Sequence, residues 1–480
     1  MDVPAVTPLS SGKRTVSRRA VLATGAAGAA AAALATLWKG RDLMSLLEQA
    51  REATQGSEGA LGEERTRISH LLRRAGFGAT AAEHAHYSKL GTAGAVNALV
   101  NYDQVSNATL EAKLPAIDPT SRGTAAATRI QGWWLQRMVE TARPLEEKMT
   151  LFWHGLLTSG LDKAGPGQMF TQNKLFRKMG MGNFADLLKA VSKDPAMMVY
   201  LDTETNRKGK PNENYARELM ELFTTGIGHY SEDDVRESGR AFTGWTLTGG
   251  RPVRLATASL FVARLHDNGS KTFMGKSGNF TGDDIVEMLV PLRATAERLS
   301  TRLFSFFAYP SPEPEIVAHL ADVFQKSRYH VGSVVKEILT MDAFYSDKAY
   351  RALVKSPAEL VANTLKATGS DARGYVAAAS AMPPMGQVLF YPPNVAGWPG
   401  GSSWINSSTL LSRINFLNAA SQRMGASLPA ASADQLMSSL IDGQVSSATR
   451  DALLQYEREH RDDRAGLLFM VMATPEFQLE

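Results

Sequence analysis

A densely polar stretch that opens an amphipathic helix carries the side chains best suited to chemistry. Residues 211–223 read PNENYARELMELF. At about 100° per residue, the apolar side chains share one arc of the helix: Tyr215, Ala216, Leu219, Met220, Leu222 and Phe223. The other arc is polar: Glu213, Asn214, Arg217, Glu218 and Glu221. The apolar arc predicts burial in a core. The polar arc is either a functional surface or a solvated face of ion pairs.

Carboxylate and amide oxygens together with one imidazole could hold a divalent metal ion. We predict Glu218, His266 and Asp267 as metal ligands. Glu213 or Glu218 is the predicted general base, and Arg217 is predicted to hold an anionic group beside them. The structural alternative is that Asp267 caps the Asn-Gly turn that follows it, while His266 ends a strand. The sequence identifies no particular metal or other cofactor.

The same helix and a distant aromatic loop supply a candidate binding surface. Asn212 is predicted as the helix N-cap, since its short amide can satisfy the free amides of the first turn. Trp398 and Trp404 stand in a glycine-rich loop, where they could stack on a sugar or another planar face. Alternatively, the loop plugs a helical core with its indoles. We predict a binding surface of Asn212, Asn214, Trp398 and Trp404.

Composition limits the classes of protein and partner. The chain has 480 residues, of which 44% are hydrophobic and 21% are charged, an ordinary globular balance. The net charge is +4, but the first 35 residues hold +3 of it and leave +1 for the remainder. A nucleic-acid partner is therefore not predicted. The absence of cysteine excludes disulfides, thiolate metal sites and a cysteine nucleophile.

The N-terminus predicts export. Residues 17–22 read SRRAVL and open an uncharged run that extends to Leu37. This pattern is typical of a twin-arginine signal peptide over residues 1–35, with Ala33-Leu34-Ala35 as the cleavage site. The alternative is an uncleaved anchor, which would be the only membrane contact. Either outcome predicts a location in the periplasm or outside the cell.

The remaining chain is predicted as a stem and one large domain. Residues 36–62 form an Ala/Glu-rich stem, and a period of 3.6 residues dominates residues 63–480, which predicts a mainly α fold. Capping boxes are expected at Ser231 and Thr281. One small β-hairpin is predicted at about residues 255–275, with Asn268-Gly269 as its turn. Residues 382–408 are predicted to be irregular.

Several separated motifs together resemble the bacterial family catalogued as domain of unknown function 1800. They are His70–Gly78, Phe152–His154, Asn183–Phe184, Asp194–Met198, Tyr200–Asp202, Asn212–Phe223, Arg240–Trp245, His266–Asp267 with Lys271 and Gly275, and Asn394–Gly401 with Trp404. In order and spread these motifs cover nearly all of the chain from about residue 63.

The resemblance implies a largely helical bacterial domain, frequently exported, whose biochemical activity is unsettled. Genes of this family often lie beside those of a second exported family, numbered 1501, with a sulfatase-like or phosphatase-like fold. Two functions follow as hypotheses: a metal-assisted hydrolase of a cell-envelope or extracellular substrate, or a noncatalytic binding or scaffold partner of that second family. Family members often carry another histidine two positions after His154, but Leu156 stands there. We therefore predict that His154 is a hydrogen-bonded core residue.

Overall fold

The computed structural model describes residues 60–249, 253–369, 374–424 and 431–480. The predicted signal peptide and nearly all of the predicted stem lie outside the described residues. Within the described ranges, no helix is both long enough and apolar enough to cross a membrane.

The apolar periodicity predicts helices, and helices dominate the structure. Up to residue 218 they are α1 (Glu64–Arg74), α2 (Ala81–Val100), α3 (Ala108–Lys113), α4 (Gly123–Glu140), α5 (Pro144–Leu156), α6 (Pro166–Met179), α7 (Phe184–Val191), α8 (Pro195–Tyr200) and α9 (Asn214–Glu218). Helices α5, α6 and α8 begin with proline, whose fixed φ and missing N–H suit the first helical position.

The later helices complete the fold. They are α10 (Glu232–Ala241), α11 (Gly282–Leu289), α12 (Arg293–Phe307), α13 (Pro314–Lys326), α14 (Val331–Thr340), α15 (Pro357–Thr368), α16 (Tyr375–Ala379), α17 (Ser407–Met424), α18 (Ala433–Ile441), α19 (Ser447–Glu459), α20 (Arg464–Met472) and α21 (Pro475–Gln478). Both predicted capping boxes are present, at Ser231 and at Thr281. The mainly α fold class is confirmed.

In the described residues, β structure consists of two hairpins, where the sequence predicted one. The strands are β1 (Trp245–Thr248), β2 (Ala258–Phe261), β3 (Lys271–Phe273) and β4 (Lys276–Gly278), paired antiparallel as β1 with β2 and β3 with β4. The predicted turn at Asn268-Gly269 is wrong as a hairpin turn, because it precedes β3 and joins no paired strands. The β3–β4 turn is Met274-Gly275, whose φ values of 48° and 76° suit a tight two-residue hairpin.

Two hydrophobic clusters form the core, and α5 and α6 contribute to both. In the first, Trp153 of α5 and Phe176 of α6 pack with side chains from α1, α2 and α7–α14. In the second, Leu151 and Met169 of the same two helices pack with α4 and α15–α21. Fully burying such a large apolar side chain stabilises the fold by about 1.5–3 kcal/mol. Helices α5 and α6 therefore join the two halves of the core.

The helix with the polar motif has the predicted apolar face and an altered end. Its apolar side chains are buried at Tyr215, Ala216, Leu219, Met220 and Phe223, and Leu222 is partly buried against the core. The helix changes to π-helical geometry over Leu219–Phe223. Short π segments inside helices frequently mark functional sites. The burial of the apolar arc is therefore confirmed. The π segment begins directly after Glu218 of the polar arc.

Candidate functional site

The chain reverses at Asp202, directly after α8. Asp202 has a φ of 57°, in the left-handed region that aspartate tolerates better than most residues. The reversal brings it beside the start of α9, where Asn212 Nδ2 donates to the Asp202 carbonyl (3.3 Å) and Asn214 Nδ2 donates to Asp202 Oδ2 (3.4 Å). Two sequence motifs, Tyr200–Asp202 and Asn212–Phe223, therefore form one surface.

Asn212 organises the start of α9, although it does not occupy the predicted cap position. The helix begins at Asn214, and Glu213 precedes it as the flanking residue. Asn212 Oδ1 accepts a hydrogen bond from the Asn214 backbone N–H (2.9 Å), and the Asn212 N–H donates to Asn206 Oδ1 (2.8 Å). The asparagine amides thus fix the turn that precedes the helix, and the helix begins one residue later than predicted.

Lys163, in the loop between α5 and α6, holds the opposite side of this surface. Its Nζ donates to the Tyr200 carbonyl (2.9 Å) and to Asp202 Oδ2 (3.2 Å). The Lys163 and Asp202 side chains are both nearly half exposed, so this ion pair contributes only about 0–1 kcal/mol to stability. Its main effect is to fix the position of the Asp202 carboxylate.

Glu218 is the unpartnered carboxylate of this surface. It is partly buried, and it makes no hydrogen bond or ion pair with any residue that the structure describes. Glu218 follows Asn214 by four residues, so both side chains lie on the same helix face. We name the surface the Glu218 patch and define it as Asp162, Lys163, Tyr200, Asp202, Asn214 and Glu218.

Burial and neighbouring charges shift the proton affinities of the patch. Burial raises the pKa of Glu218, Glu221 adds to that rise, and Arg217 opposes it. Burial also raises the pKa of Tyr200 to about 12, with further contributions from Asp162, Glu218 and Tyr391. Glu218 therefore stays protonated to a higher pH than an exposed glutamate.

A groove of about 500 Å³ borders the patch, and we call it the Tyr391 groove. Leu161 and Ala164, which flank Asp162 and Lys163 in the chain, line it together with Tyr391, whose side chain is 45% exposed. Further lining comes from three polar side chains of α4: Thr124, Thr128 and Gln131. A groove with an exposed ring and several hydrogen-bonding groups suits a polar ligand such as a sugar chain.

Arg217 and Glu213, two predicted catalytic residues, belong to a surface ion-pair cluster. Arg217 donates two hydrogen bonds of 2.8 Å to the Glu232 carboxylate, and it lies 3.8 Å from Glu213. These groups are partly or largely exposed. The predicted ion-paired alternative therefore describes this part of the polar arc, and the catalytic roles of Glu213 and Arg217 stay predictions.

His266 and Asp267 lie in a separate network. Asp267 forms a two-point ion pair with Arg240 (2.9 and 3.2 Å) and accepts from the Gly269 N–H (2.8 Å). The hydrogen bond from Arg240 is the main cause of the lowering of the Asp267 pKa to about 2. His266 is buried, and its Nδ1 donates to the Thr243 carbonyl (2.8 Å). Asp267 therefore caps the Asn-Gly turn, as the structural alternative predicted.

The predicted metal ligands are not assembled. Among the described residues, no three histidine, aspartate or glutamate side chains are grouped as metal ligands. Glu218 lies in the patch beside Tyr200, whereas Asp267 is held by Arg240 and His266 by Thr243. The ligand set Glu218, His266 and Asp267 stays a prediction that this arrangement does not support, because sequence motifs do not show which loops meet in space.

The aromatic loop packs into the protein. Trp404 is only 4% exposed and packs with Ile405 and Leu479. Trp398 is partly buried against the same cluster, and its Nε1 is buried without a partner among the described residues. Trp404 therefore packs in the interior of the protein, as the plugging-loop alternative predicted.

His154 is a core residue, as predicted. Its ring is 1% exposed, and Asn173 Nδ2 donates to its Nε2 (3.1 Å). Burial lowers the pKa of His154 to about 3, so the ring is neutral at physiological pH.

Sequence reasoning missed Asp162, Lys163, Tyr200 and Tyr391 at the site. Tyr200 was present as part of a recognised motif, but nothing in that motif indicated that Glu218 acts on its pKa. Lys163 and Tyr391 stand in loops without a chemical pattern. Their roles depend on contacts between segments that are far apart in the chain.

Fold and site together define a mainly α protein with an open carboxylate-rich patch beside a polar groove. The chain matches the family model described as Protein of unknown function (DUF1800) over residues 70–479, and it belongs to this family. No curated protein and no solved structure matches the chain.

Proposed function

We propose that the chain is an exported hydrolase of a polar polymer, with Glu218 as its general acid and the Tyr391 groove as part of its substrate site. One observation carries this proposal: Glu218 is a partly buried carboxylate without a bonded partner among the described residues, and the patch that contains it borders a groove with an exposed aromatic ring. Titratable groups with shifted proton affinity at the edge of a cleft are candidates for acid–base chemistry.

The chemistry needs two carboxylates in different states. Protonated Glu218 donates its proton to the oxygen of the leaving group as the bond to that oxygen breaks. Asp202, which Lys163 holds in place, accepts a proton from a water molecule. The oxygen of that water forms a bond to the substrate atom from which the leaving group departs. The raised pKa of Glu218, caused mainly by its partial burial, suits the acid role, because a general acid must hold its proton until the bond breaks.

The geometry of α9 supports this pairing. Residues four apart on a helix have Cβ atoms about 5–6 Å apart, and Asn214 bonds to Asp202 at 3.4 Å. Asn214 therefore links Asp202 to the helix face that carries Glu218. The proposal assigns no metal ligand, because His266 and Asp267 are engaged in another network.

The sequence supports the proposed location. Arg18 and Arg19, with the uncharged run behind them, are typical of a twin-arginine leader over residues 1–35. An exported hydrolase would meet polymers of the cell envelope or of the surroundings. Those polymers are the substrates that we propose.

The test is the release of reducing ends from isolated bacterial cell walls and from purified polysaccharides. Loss of a general acid typically costs about 10²–10⁴-fold in rate, so we expect a loss of that size in Glu218→Gln. Wild-type activity should fall as pH rises through the raised pKa of Glu218, because the protonated form is the acid. The variant should lack this dependence.

The matched control is Glu287→Gln, which alters a surface glutamate paired with Lys189 (2.6 Å). It should retain full activity. Equal rates in Glu218→Gln and wild type, or no reducing ends from any of the polymers with wild type, would show that the hydrolase proposal is wrong.

A second candidate is the scaffold function, and an exposed loop favours it. Ile227 is 78% exposed, and its neighbours Gly226 and Gly228 both have positive φ, which presents the side chain at the tip of the loop. A lone exposed aliphatic side chain on such a tip suits insertion into an apolar hole of a partner. We propose an exported protein of the family numbered 1501 as that partner.

Titration calorimetry with a purified protein of that partner family tests this candidate. Removing a central apolar anchor typically costs about 2 kcal/mol or more, so Ile227→Asp should weaken binding on the order of thirtyfold. The control is Leu90→Asp, at another exposed aliphatic position. Absence of binding by wild type, or equal weakening in both variants, would rule out the Ile227 contact.

A further inference from the structure

A second groove of about 500 Å³ lies between α15, α16 and α17, and none of its lining residues belongs to the Glu218 patch. Its walls come from the C-terminal end of α15, from α16 with the residues on either side of it, and from α17 between Ser412 and Met424. We call it the Arg423 groove. Its volume lies within the range of about 300–1,000 Å³ that is typical of small-molecule sites.

Small side chains keep this groove open. Ala378 and Ala381 line one side, and Ala419 and Ala420 line the other. Larger side chains would fill the space between the two walls. An alanine methyl group is too short to do so, and the space stays open. The result is an apolar trough where a packed helix interface would otherwise be expected.

The trough is elongated. Ser412, Phe416, Ala419 and Arg423 line it and follow one another at three- or four-residue spacing along α17, so they share one helix face. At 1.5 Å per residue, this stripe is about 16 Å long. The shape therefore suits a narrow, extended apolar body better than a compact ring system.

The charge that the described residues contribute to the groove is positive. Arg423 is exposed at the end of the stripe and makes no ion pair or hydrogen bond with any residue that the structure describes. Among the residues that the structure describes, the lining contains no aspartate or glutamate. An unpaired guanidinium at the end of an apolar trough is complementary to an anionic group on an apolar chain, because a guanidinium matches a carboxylate with two parallel hydrogen bonds.

We propose that the Arg423 groove binds a long-chain fatty acid, with its alkyl chain along α17 and its carboxylate on Arg423. The occupant that we propose is a free fatty acid, because an acyl chain esterified in a phospholipid has no carboxylate for Arg423 to bind. The proposal does not depend on the hydrolase function, since the two sites share no residue.

Fluorescence of cis-parinaric acid, which rises in an apolar site, tests this directly on the purified protein. We expect saturable binding that Ala419→Phe abolishes, because the ring would fill the trough. Arg423→Gln should weaken binding on the order of tenfold, which corresponds to about 1.4 kcal/mol. It should leave the binding of the methyl ester of the same probe unchanged, because the ester carries no charge.

Two matched variants control for surface changes. Ala85→Phe introduces a ring at an exposed alanine of α2, and Arg129→Gln removes an exposed arginine of α4 that has no ion pair among the described residues. Both should bind the probe like wild type. Absence of saturable binding, or undiminished binding by Ala419→Phe, would overturn the proposal.

Competition identifies the occupant of the groove. Displacement of the probe by oleate supports the proposal, and displacement by phosphatidylglycerol vesicles but not by oleate would overturn it. Displacement by an amphipathic helical peptide but not by oleate would overturn the proposal and define the groove as a peptide-binding site.

Discussion

Replacing Glu359 with glutamine is expected to destabilise the protein by about 3–5 kcal/mol, because the buried ammonium of Lys148 would lose its partner. Lys148 Nζ lies 2.5 Å from Glu359 Oε1, and its side chain is fully buried. Taking an ammonium out of water is costly, and an uncompensated one in the core is among the largest single penalties that a fold can carry.

Neighbouring groups replace this carboxylate poorly. Glu480 lies 3.5 Å from Lys148, but burial, the larger cause, and the Glu359 carboxylate both raise the pKa of Glu480. Glu359→Gln removes only the smaller of these two causes. Burial alone would raise the pKa of Glu359 as well, but the ion pair with Lys148 outweighs burial and lowers that pKa to about 2. Glu359 is therefore the ionised partner throughout the physiological range.

Urea unfolding followed by circular dichroism measures this loss, with Glu287→Gln as the control. The Glu287 side chain is 63% exposed, and removing an exposed ion pair typically costs about 0–1 kcal/mol. Because the pKa of Glu359 is lowered on folding, its contribution is present above its ordinary value of 4.5 and is lost as pH falls towards about 2. The wild type and Glu359→Gln should therefore converge in acid. Equal losses in the two variants at pH 7 would contradict the prediction.

Gly397→Ala is expected to destabilise the protein by about 2–5 kcal/mol, the sum of a left-handed backbone penalty and an overpacking penalty. Gly397 has a φ of 88°, and a Cβ there would overlap the carbonyl oxygen of Gly155 in α5. The close approach lets the loop that carries Trp398 and Trp404 lie directly on the helix. The backbone of α5 is fixed by the core on both sides, so it cannot move away cheaply.

Gly400→Ala separates the two penalties. Gly400 also has a positive φ, of 71°, but a Cβ there would meet no atom within 4 Å. Its ψ of −179° places Gly400 in an extended positive-φ region that is essentially confined to glycine, so this variant should lose only a backbone term of about 1–3 kcal/mol. The extra loss in Gly397→Ala measures the close approach to Gly155. A loss in Gly397→Ala no greater than that in Gly400→Ala would show that the loop can lift away from α5.

Local signals in the sequence predicted the helices well. The period of 3.6 residues predicted a mainly α fold, and within it α7 spans Phe184–Val191 with Asn183 as its cap. The capping boxes at Ser231 and Thr281 formed as predicted. These helix caps depend on hydrogen bonds between residues three or four apart, so a short stretch of sequence is enough to predict them.

The two hairpins show which features a local sequence signal does not predict. Asn-Gly is a strong turn signal, and residues 268 and 269 do turn, with Asp267 bonded to the Gly269 N–H. Strand pairing is a longer-range choice, however: β2 pairs with β1 across ten or more residues, while β3 pairs with the strand that follows Met274-Gly275. The turn therefore depends on neighbouring residues, whereas the pairing of β1 with β2 depends on residues that are farther apart in the chain.

By itself, the sequence determined the family, the helical class and the buried face of the Asn214–Phe223 segment, because periodicity and capping act over one or two helical turns. Only the tertiary structure decided what the polar face meets. It paired Arg217 with Glu232, held Asp267 with Arg240, and left Glu218 unbonded beside Tyr200. The physical reason is that charges and hydrogen bonds act over a few ångströms in space, and a sequence does not state which distant segments come that close.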